Sequence, residues 1–144
     1  MGSQAPIIRL ARKKDFDAIA AMDHVAQSSS SRREFILRSV ELGYCYVAEF
    51  DQELSAYAVL EYTFFENGFV SMLYVAAEHR RKGIGAALMR DLEAVCKTRK
   101  LFISCNASNT SMRQLLAKLG FQPSGIIENL ADGDPELVFF KRLR

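Results

Sequence analysis

Val75-Ala-Ala-Glu-His-Arg-Arg-Lys-Gly-Ile-Gly-Ala-Ala-Leu-Met-Arg90 decides the fold. A strand-like run, Phe69 to Val75, leads into it, and an amphipathic helix leads out. Between them stand three cations, Arg80, Arg81 and Lys82, and two glycines, Gly83 and Gly85. Glycine lets a backbone turn tightly and present its N–H groups. The first N–H groups of a helix have no intrahelical acceptor, and the helix dipole makes that end positive. Flanking cations add to the field. The stretch therefore reads as a cradle for a phosphate or pyrophosphate.

Two common phosphate loops fail against it. A Walker-type loop needs Gly, four residues, Gly-Lys and Ser or Thr, and the chain has no such string. A dinucleotide fingerprint needs a small third residue, where this chain has Leu88. It also wants an acid about twenty residues on, and that neighbourhood is Phe102-Ile-Ser-Cys-Asn106. A third pattern is Arg or Gln, two residues, Gly, one residue, then Gly or Ala, between a strand and a helix. Arg80-Arg-Lys-Gly83-Ile-Gly85 satisfies every position. It resembles the pyrophosphate loop of the GCN5-related N-acetyltransferases, the GNAT family, and the resemblance implies that the chain binds acetyl-CoA.

At 144 residues the chain suits one domain, 1–144, with one core. Hydrophobic residues at 49% and charged residues at 25% are ordinary for a globular protein. A net charge of +2 is too small to imply nucleic acid. No apolar run approaches the roughly 18 residues of a membrane span. Met1 to Pro6 is too short and polar for a signal peptide, and Pro6 stands where myristoylation needs Ser or Thr. Cys45, Cys96 and Cys105 are odd in number and not spaced as metal ligands, and with two histidines no metal is expected. A reducing cytoplasm is the expected home.

Taken in order, Ile7–Leu10 reads as a strand and Asp15–Val25 as a first helix. Ser31 and Glu34 read as the capping box of a second helix, with Gly43 at its C-cap. The period then changes to two. Tyr44–Phe50, Leu54–Phe65 and Phe69–Val75 read as a meander with turns at Asp51-Gln52 and Asn67-Gly68. Ile84, Leu88, Leu92 and Val95 form the buried stripe of the next helix. Leu101–Cys105 is a strand expected parallel to Phe69–Val75 through a right-handed crossover. Asn109 caps a helix carrying Met112, Leu115, Leu116 and Leu119, stopped by Gly120. Gln122–Glu128 and Glu136–Lys141 are the last strands.

This order is also the GNAT order. Asn109-Thr-Ser-Met-Arg-Gln-Leu-Leu-Ala-Lys-Leu-Gly-Phe121 resembles a second family string at the right spacing. The resemblance implies an α+β fold: a mixed, mostly antiparallel sheet of about seven strands flanked by four helices. One parallel strand pair is splayed at the cofactor site. It implies an N-acetyltransferase moving acetyl from acetyl-CoA to a primary amine by direct attack, as a monomer or homodimer, with no nucleic-acid or membrane partner. The cofactor-binding positions it implies are Leu73, Tyr74, Val75, Arg80, Arg81, Lys82, Gly83, Ile84, Gly85, Ala86 and Asn109, with the Leu73 backbone as the oxyanion contact. Leu116 occupies the slot where many members place a proton-donating Tyr, and Ser71 a slot where many carry a carboxylate. An acyl-CoA-binding module without transfer, and a nucleic-acid-binding domain using Arg80–Lys82, are the alternatives.

Other residues have a structural and a functional reading. Glu61 reads as a surface strand carboxylate or as a proton relay. His24 and His79 show no partner pattern and read as structural or exposed. Cys105 reads as an inert strand cysteine or as a nucleophile. Glu128, Asp132, Asp134 and Glu136 read as a polar turn or as an attractor for a cationic acceptor.

Overall fold

Alternating apolar residues and a few left-handed turns lay out the sheet. The computed structural model describes residues 5–144. Its strands are β1 (Ile7–Leu10), β2 (Cys45–Phe50), β3 (Glu53–Phe64), β4 (Asn67–Val75), β5 (Lys100–Asn106), β6 (Gln122–Ile127) and β7 (Glu136–Arg142). Its helices are α1 (Phe16–Met22), α2 (Ser30–Glu41), α3 (Ile84–Val95) and α4 (Thr110–Lys118). The seven strands run β1-β2-β3-β4-β5-β7-β6. β4 and β5 are parallel, while β1–β2, β2–β3, β5–β7 and β6–β7 are antiparallel. This is the mixed α+β architecture and the parallel pair that the sequence implied. Among the described residues no helix is long and apolar enough to cross a membrane. The Met1-Gly2 start lies outside the described residues.

The chain divides into two units. The first runs through Leu60 and resumes over Met72–Ala94. Here α1 and α2 bury Ile19, Ile36 and Val40 with Val47, Tyr57 and Val59, and Met72 and Tyr74 pack against the same cluster. Ile84, Leu88, Met89 and Leu92 are buried along α3. Val95, expected in that stripe, is 41% exposed because the helix ends there.

The second unit comprises Glu61–Ser71 and Val95–Arg144. The parallel ladder joins Gly68–Val70 to Leu101–Ile103. β5 pairs with β7 along its whole length, from Lys100↔Arg142 to Asn106↔Glu136. Asn109 Oδ1 accepts the Met112 amide at 3.1 Å and caps α4, a bond worth about 1 kcal/mol. Gly120, at φ +90°, stops the same helix.

Three local expectations need correction. The β3–β4 turn is Phe65-Glu66, at φ +51° and +65°, not Asn67-Gly68. Asn67 and Gly68 begin β4, and Gly68 is small because a Cβ there would stand 2.6 Å from Cys96 Sγ. The cap of α2 is Ser29, whose hydroxyl accepts the Arg32 amide at 3.1 Å, so Ser31 lies inside the helix. The first helix stops at Met22, since Asp23 turns extended to accept the amides of Val25 and Ala26.

Candidate functional site

Within the first unit, β4 delivers Leu73, Tyr74 and Val75 to a one-turn 3-10 helix, Ala77–His79, and then to the basic loop. The Arg80 Nε donates to the Val75 carbonyl at 2.9 Å, which folds the first cation of the loop back onto the end of the strand. The Arg80 guanidinium carbon also stands 5.7 Å from the centre of the Tyr74 ring. The Lys82 ammonium lies 5.4 Å from the Phe50 ring centre. Arg81 and Gly83 are both left-handed, at φ +64° and +78°. For glycine this is free, while for Arg81 it costs about 1 kcal/mol. Arg80, Arg81, Lys82 and Gly83 are exposed.

The main-chain donors of this loop are the telling feature. The Ala87 amide opens the helical ladder by donating to the Gly83 carbonyl at 3.0 Å. Among the described residues, the amides of Arg81, Lys82, Gly83, Ile84, Gly85 and Ala86 have no protein acceptor. A buried or ordered N–H normally finds a partner in protein or water. Six in succession, with three exposed cations and a helix start, make a concave donor surface for an anion. A Cβ built at Gly83 would meet nothing within 4 Å, so the space over the loop is open. The residues present thus fit a phosphate-bearing group.

The loop is anchored from beneath by a residue the sequence left without a partner. His79 is 4% exposed, and its Nε2 lies 2.6 Å from Glu53 Oε1. Its ring meets Phe50 edge-on at 5.9 Å. Phe50 and Glu53 flank the Asp51-Gln52 turn, so the tip of the β2–β3 hairpin pins the approach to the cradle. Glu53, Glu78 and His79 bring three donor atoms within 4.8 Å of one another. Carboxylate and imidazole are suitable ligands for a divalent ion, though Glu53 already engages the imidazole.

His24 also has a partner. Its Nδ1 is 2.5 Å from the Tyr74 hydroxyl, fifty residues away. Beside it Asp23, with no exposure, accepts Tyr57 Oη at 2.5 Å and Arg32 Nη1 at 2.6 Å on Oδ2. Burial alone would raise the Asp23 pKa, but the bonds from Tyr57 and Arg32 hold it below the usual carboxylate range. Burial, together with the Asp23 carboxylate, pushes the Tyr57 phenol well upward. No spacing rule signals either pairing, because the partners lie on different elements.

The second unit holds the remaining candidates. Asn109 is exposed, and its capping bond occupies only the side-chain oxygen. Glu61, on β3, accepts the Thr63 hydroxyl at 2.7 Å. Ser71 carries a buried hydroxyl with no hydrogen-bond partner among the described residues. Leu116 is fully buried in α4. Burial raises the pKa of the Cys105 thiol, with Glu136 adding to the shift, which leaves it protonated and a poor nucleophile. Two of the four acids of the acidic turn are engaged. Asp134 accepts the Ser108 amide and hydroxyl at 3.0 and 2.6 Å, and Glu136 accepts Ser104 and Asn106 at 2.7 and 3.2 Å.

Comparison with known proteins gives one consistent answer. The model of the acetyltransferase (GNAT) family matches residues 9–121. An N-alpha-acetyltransferase of Sulfurisphaera tokodaii is 28% identical, over 88% of this chain and 87% of its own. A crystal structure of a GNAT-family acetyltransferase from Bacillus cereus superposes with a TM-score of 0.91 and 32% identity, covering 96% of this chain and 98% of that one. A Salmonella typhimurium structure with its cofactor acetyl-CoA shares the fold at a TM-score of 0.77 and 21% identity, covering 98% and 95%.

Proposed function

The chain belongs to the acetyltransferase (GNAT) family, and from that premise we propose that it moves an acetyl group from acetyl-CoA to a primary amine by direct attack in a ternary complex. The observation that carries this is the run of six amides, Arg81 to Ala86, without acceptors among the described residues. Those amides, with Arg80, Arg81 and Lys82, hold the pyrophosphate. Gly83 and Gly85 keep the main chain accessible. The backbone of Leu73, Tyr74 and Val75 receives the acyl end, with Leu73 facing the oxyanion. Asn109, in the second unit, keeps its side-chain nitrogen outside the capping bond. Acetyl-CoA supplies an activated thioester carbonyl. Fixed dipoles aimed at developing charge are usually the largest contribution to such a reaction, and joint binding adds proximity. Glu61 is a candidate to take up a proton, in competition with its bond to Thr63.

One observation favours a rival. Leu116, buried and apolar, cannot protonate a leaving thiolate, which suits a module that binds acyl-CoA without transferring. Two measurements separate the readings. Melting temperature is followed with acetyl-CoA, CoA, ATP, NAD and a short RNA, since a ligand of the native state must raise it. Acetyl-CoA and CoA are expected to raise it most; a larger shift with RNA ends the acetyltransferase reading. Thiol release is then followed across a panel of amines. Binding without release from any amine leaves the module.

A further inference from the structure

The contact between His24 and Tyr74 joins the segment after α1 to the end of β4. Tyr74 lies one residue before the end of β4, and His24 lies two residues past α1. The Tyr74 oxygen accepts the His24 backbone N–H at 3.1 Å and sits 2.5 Å from His24 Nδ1. A phenol has one proton and two lone pairs. One lone pair takes the backbone N–H. If the imidazole presents a bare Nδ1, the phenol proton points to it. If Nδ1 carries a proton, the ring donates and the phenol proton turns outward. A proton can therefore enter at the phenol and leave through the ring with no heavy atom moving.

The surroundings hold this pair rigid and give it two ends. Tyr74 stacks on Tyr57 at 6.0 Å, and Tyr57 donates to Asp23. Asp23 is further held by Arg32 and by the amides of Val25 and Ala26, which fixes the backbone just before His24. On the other side the Arg80 guanidinium faces the Tyr74 ring. The charged and titratable groups bonded to or stacked on the pair and its partners include Asp23, Arg32, Tyr57 and Arg80, and the Asp23 charge is compensated by Arg32. Tyr74 is half-buried and adjoins Val75 and Arg80, while His24 is exposed to water. Imidazole is the side chain best suited to exchange a proton near neutral pH.

We infer that Tyr74 and His24 form the proton relay for the acceptor amine, Tyr74 receiving the proton and His24 passing it to solvent. The inference rests on the acetyltransferase reading and supplies the proton acceptor for the amine that Ser71 does not. An aliphatic amine arrives as an ammonium and attacks only after losing a proton. One ammonium N–H bond breaks and an O–H bond forms at Tyr74 as the phenol's original O–H breaks. An N–H bond forms at His24 Nδ1. The products are a free amine and an imidazolium, which returns a proton to water. No electrons change hands and no further reactant is needed.

Tyr74→Phe keeps the ring, its stacking and its contact with Arg80, and removes only the hydroxyl. His24→Gln removes the ring at an exposed position. The first measurement needs no cosubstrate: the imidazole titration of His24 is followed by NMR, and Tyr74→Phe is expected to move its midpoint. In the pH profile of kcat/KM, both variants are expected to fall about 10²-fold or more and to lose the limb that tracks His24. His24→Gln is expected to keep the wild-type melting shift with acetyl-CoA. An unmoved His24 midpoint, or kcat/KM within three-fold of wild type across pH in both variants, overturns the relay while leaving the acetyltransferase in place. A wild-type chain that binds no acetyl-CoA overturns the function itself, and the relay with it.

Discussion

The basic loop at Arg80–Ala86 and the acidic turn at Glu128–Glu136 look alike on paper, each a charge cluster beside glycine. Folded, they differ in what their polar groups have left to do. In the loop six amides lack protein acceptors among the described residues, and the cations lie exposed. In the turn Asp134 is occupied by Ser108, and Glu136 by Ser104 and Asn106. Those bonds close the end of the β5–β7 ladder, where Asn106 faces Glu136. Charge density does not distinguish the two regions. Unused hydrogen-bonding capacity does.

The strongest way to break this contrast is to reverse the loop. Arg81→Glu with Lys82→Glu turns two exposed cations into anions without touching the core. Acetyl-CoA Kd by calorimetry is expected to rise about 100-fold or more, roughly 2.7 kcal/mol. The melting temperature of the unliganded chain is expected to stay within about 2 °C, since exposed charges contribute little to stability. A Kd within three-fold of wild type would show that the open amides are not a binding surface.

How much of this was legible beforehand follows from the range of the forces involved. The strand–loop–helix cradle, the parallel β4–β5 pair and the Asn109 cap were readable, because each is written in neighbouring residues as spacing, period or a capping side chain. The Phe65-Glu66 turn was missed since Asn67-Gly68 carries the ordinary turn signal. Gly68 is instead needed for close approach to Cys96, distant in sequence and so invisible to local pattern. Ser29 is not signalled because Ser31, with Glu34 three residues on, carries the stronger capping pattern on paper. The pairs His79–Glu53 and His24–Tyr74 depend on sheet register and helix docking, so neither histidine could be given a partner from spacing.

Removing an engaged acid tests the other side of the contrast. Glu136→Ala strands the Ser104 hydroxyl and removes one of the partners of Asn106. Urea unfolding is expected to lose about 1–2 kcal/mol, with acetyl-CoA Kd unchanged. Asp15 offers the same test by pH. Arg9 donates to both of its oxygens, at 2.8 and 3.1 Å, and the Arg12 amide adds a third bond. The Arg9 bond, opposed by burial and helped by the Arg12 amide, holds its pKa at about 2. A carboxyl depressed in the fold stabilises it above the unfolded pKa of roughly 3.9. That contribution, about 1–2 kcal/mol after solvent screening at half-exposed partners, is lost as pH falls from about 4 to about 2. Asp15→Asn is expected to flatten the stability curve over that window, and an unchanged slope would show the carboxylate to be unpaired in solution.

The smallest expected effect is the most exacting. Asp132 is exposed beside Gly133, which takes φ +76° and already satisfies the turn, and its carboxylate has no hydrogen-bond partner among the described residues. By the rule drawn from the loop, a group with unused capacity is a place on the acidic turn where a ligand could still be met. By the rule drawn from the turn, a lone carboxylate in water is screened within about 8–10 Å and attracts nothing specific. Asp132→Lys decides between them. Stability is expected to move by less than about 0.5 kcal/mol, as for surface substitutions generally. KM is expected to stay within two-fold for both a cationic diamine and a neutral-tailed amine. A KM that rises only for the diamine, and recovers its indifference at high salt, would make Asp132 an electrostatic guide, and unpaired charge alone, without a concave donor surface, would then suffice to select an acceptor.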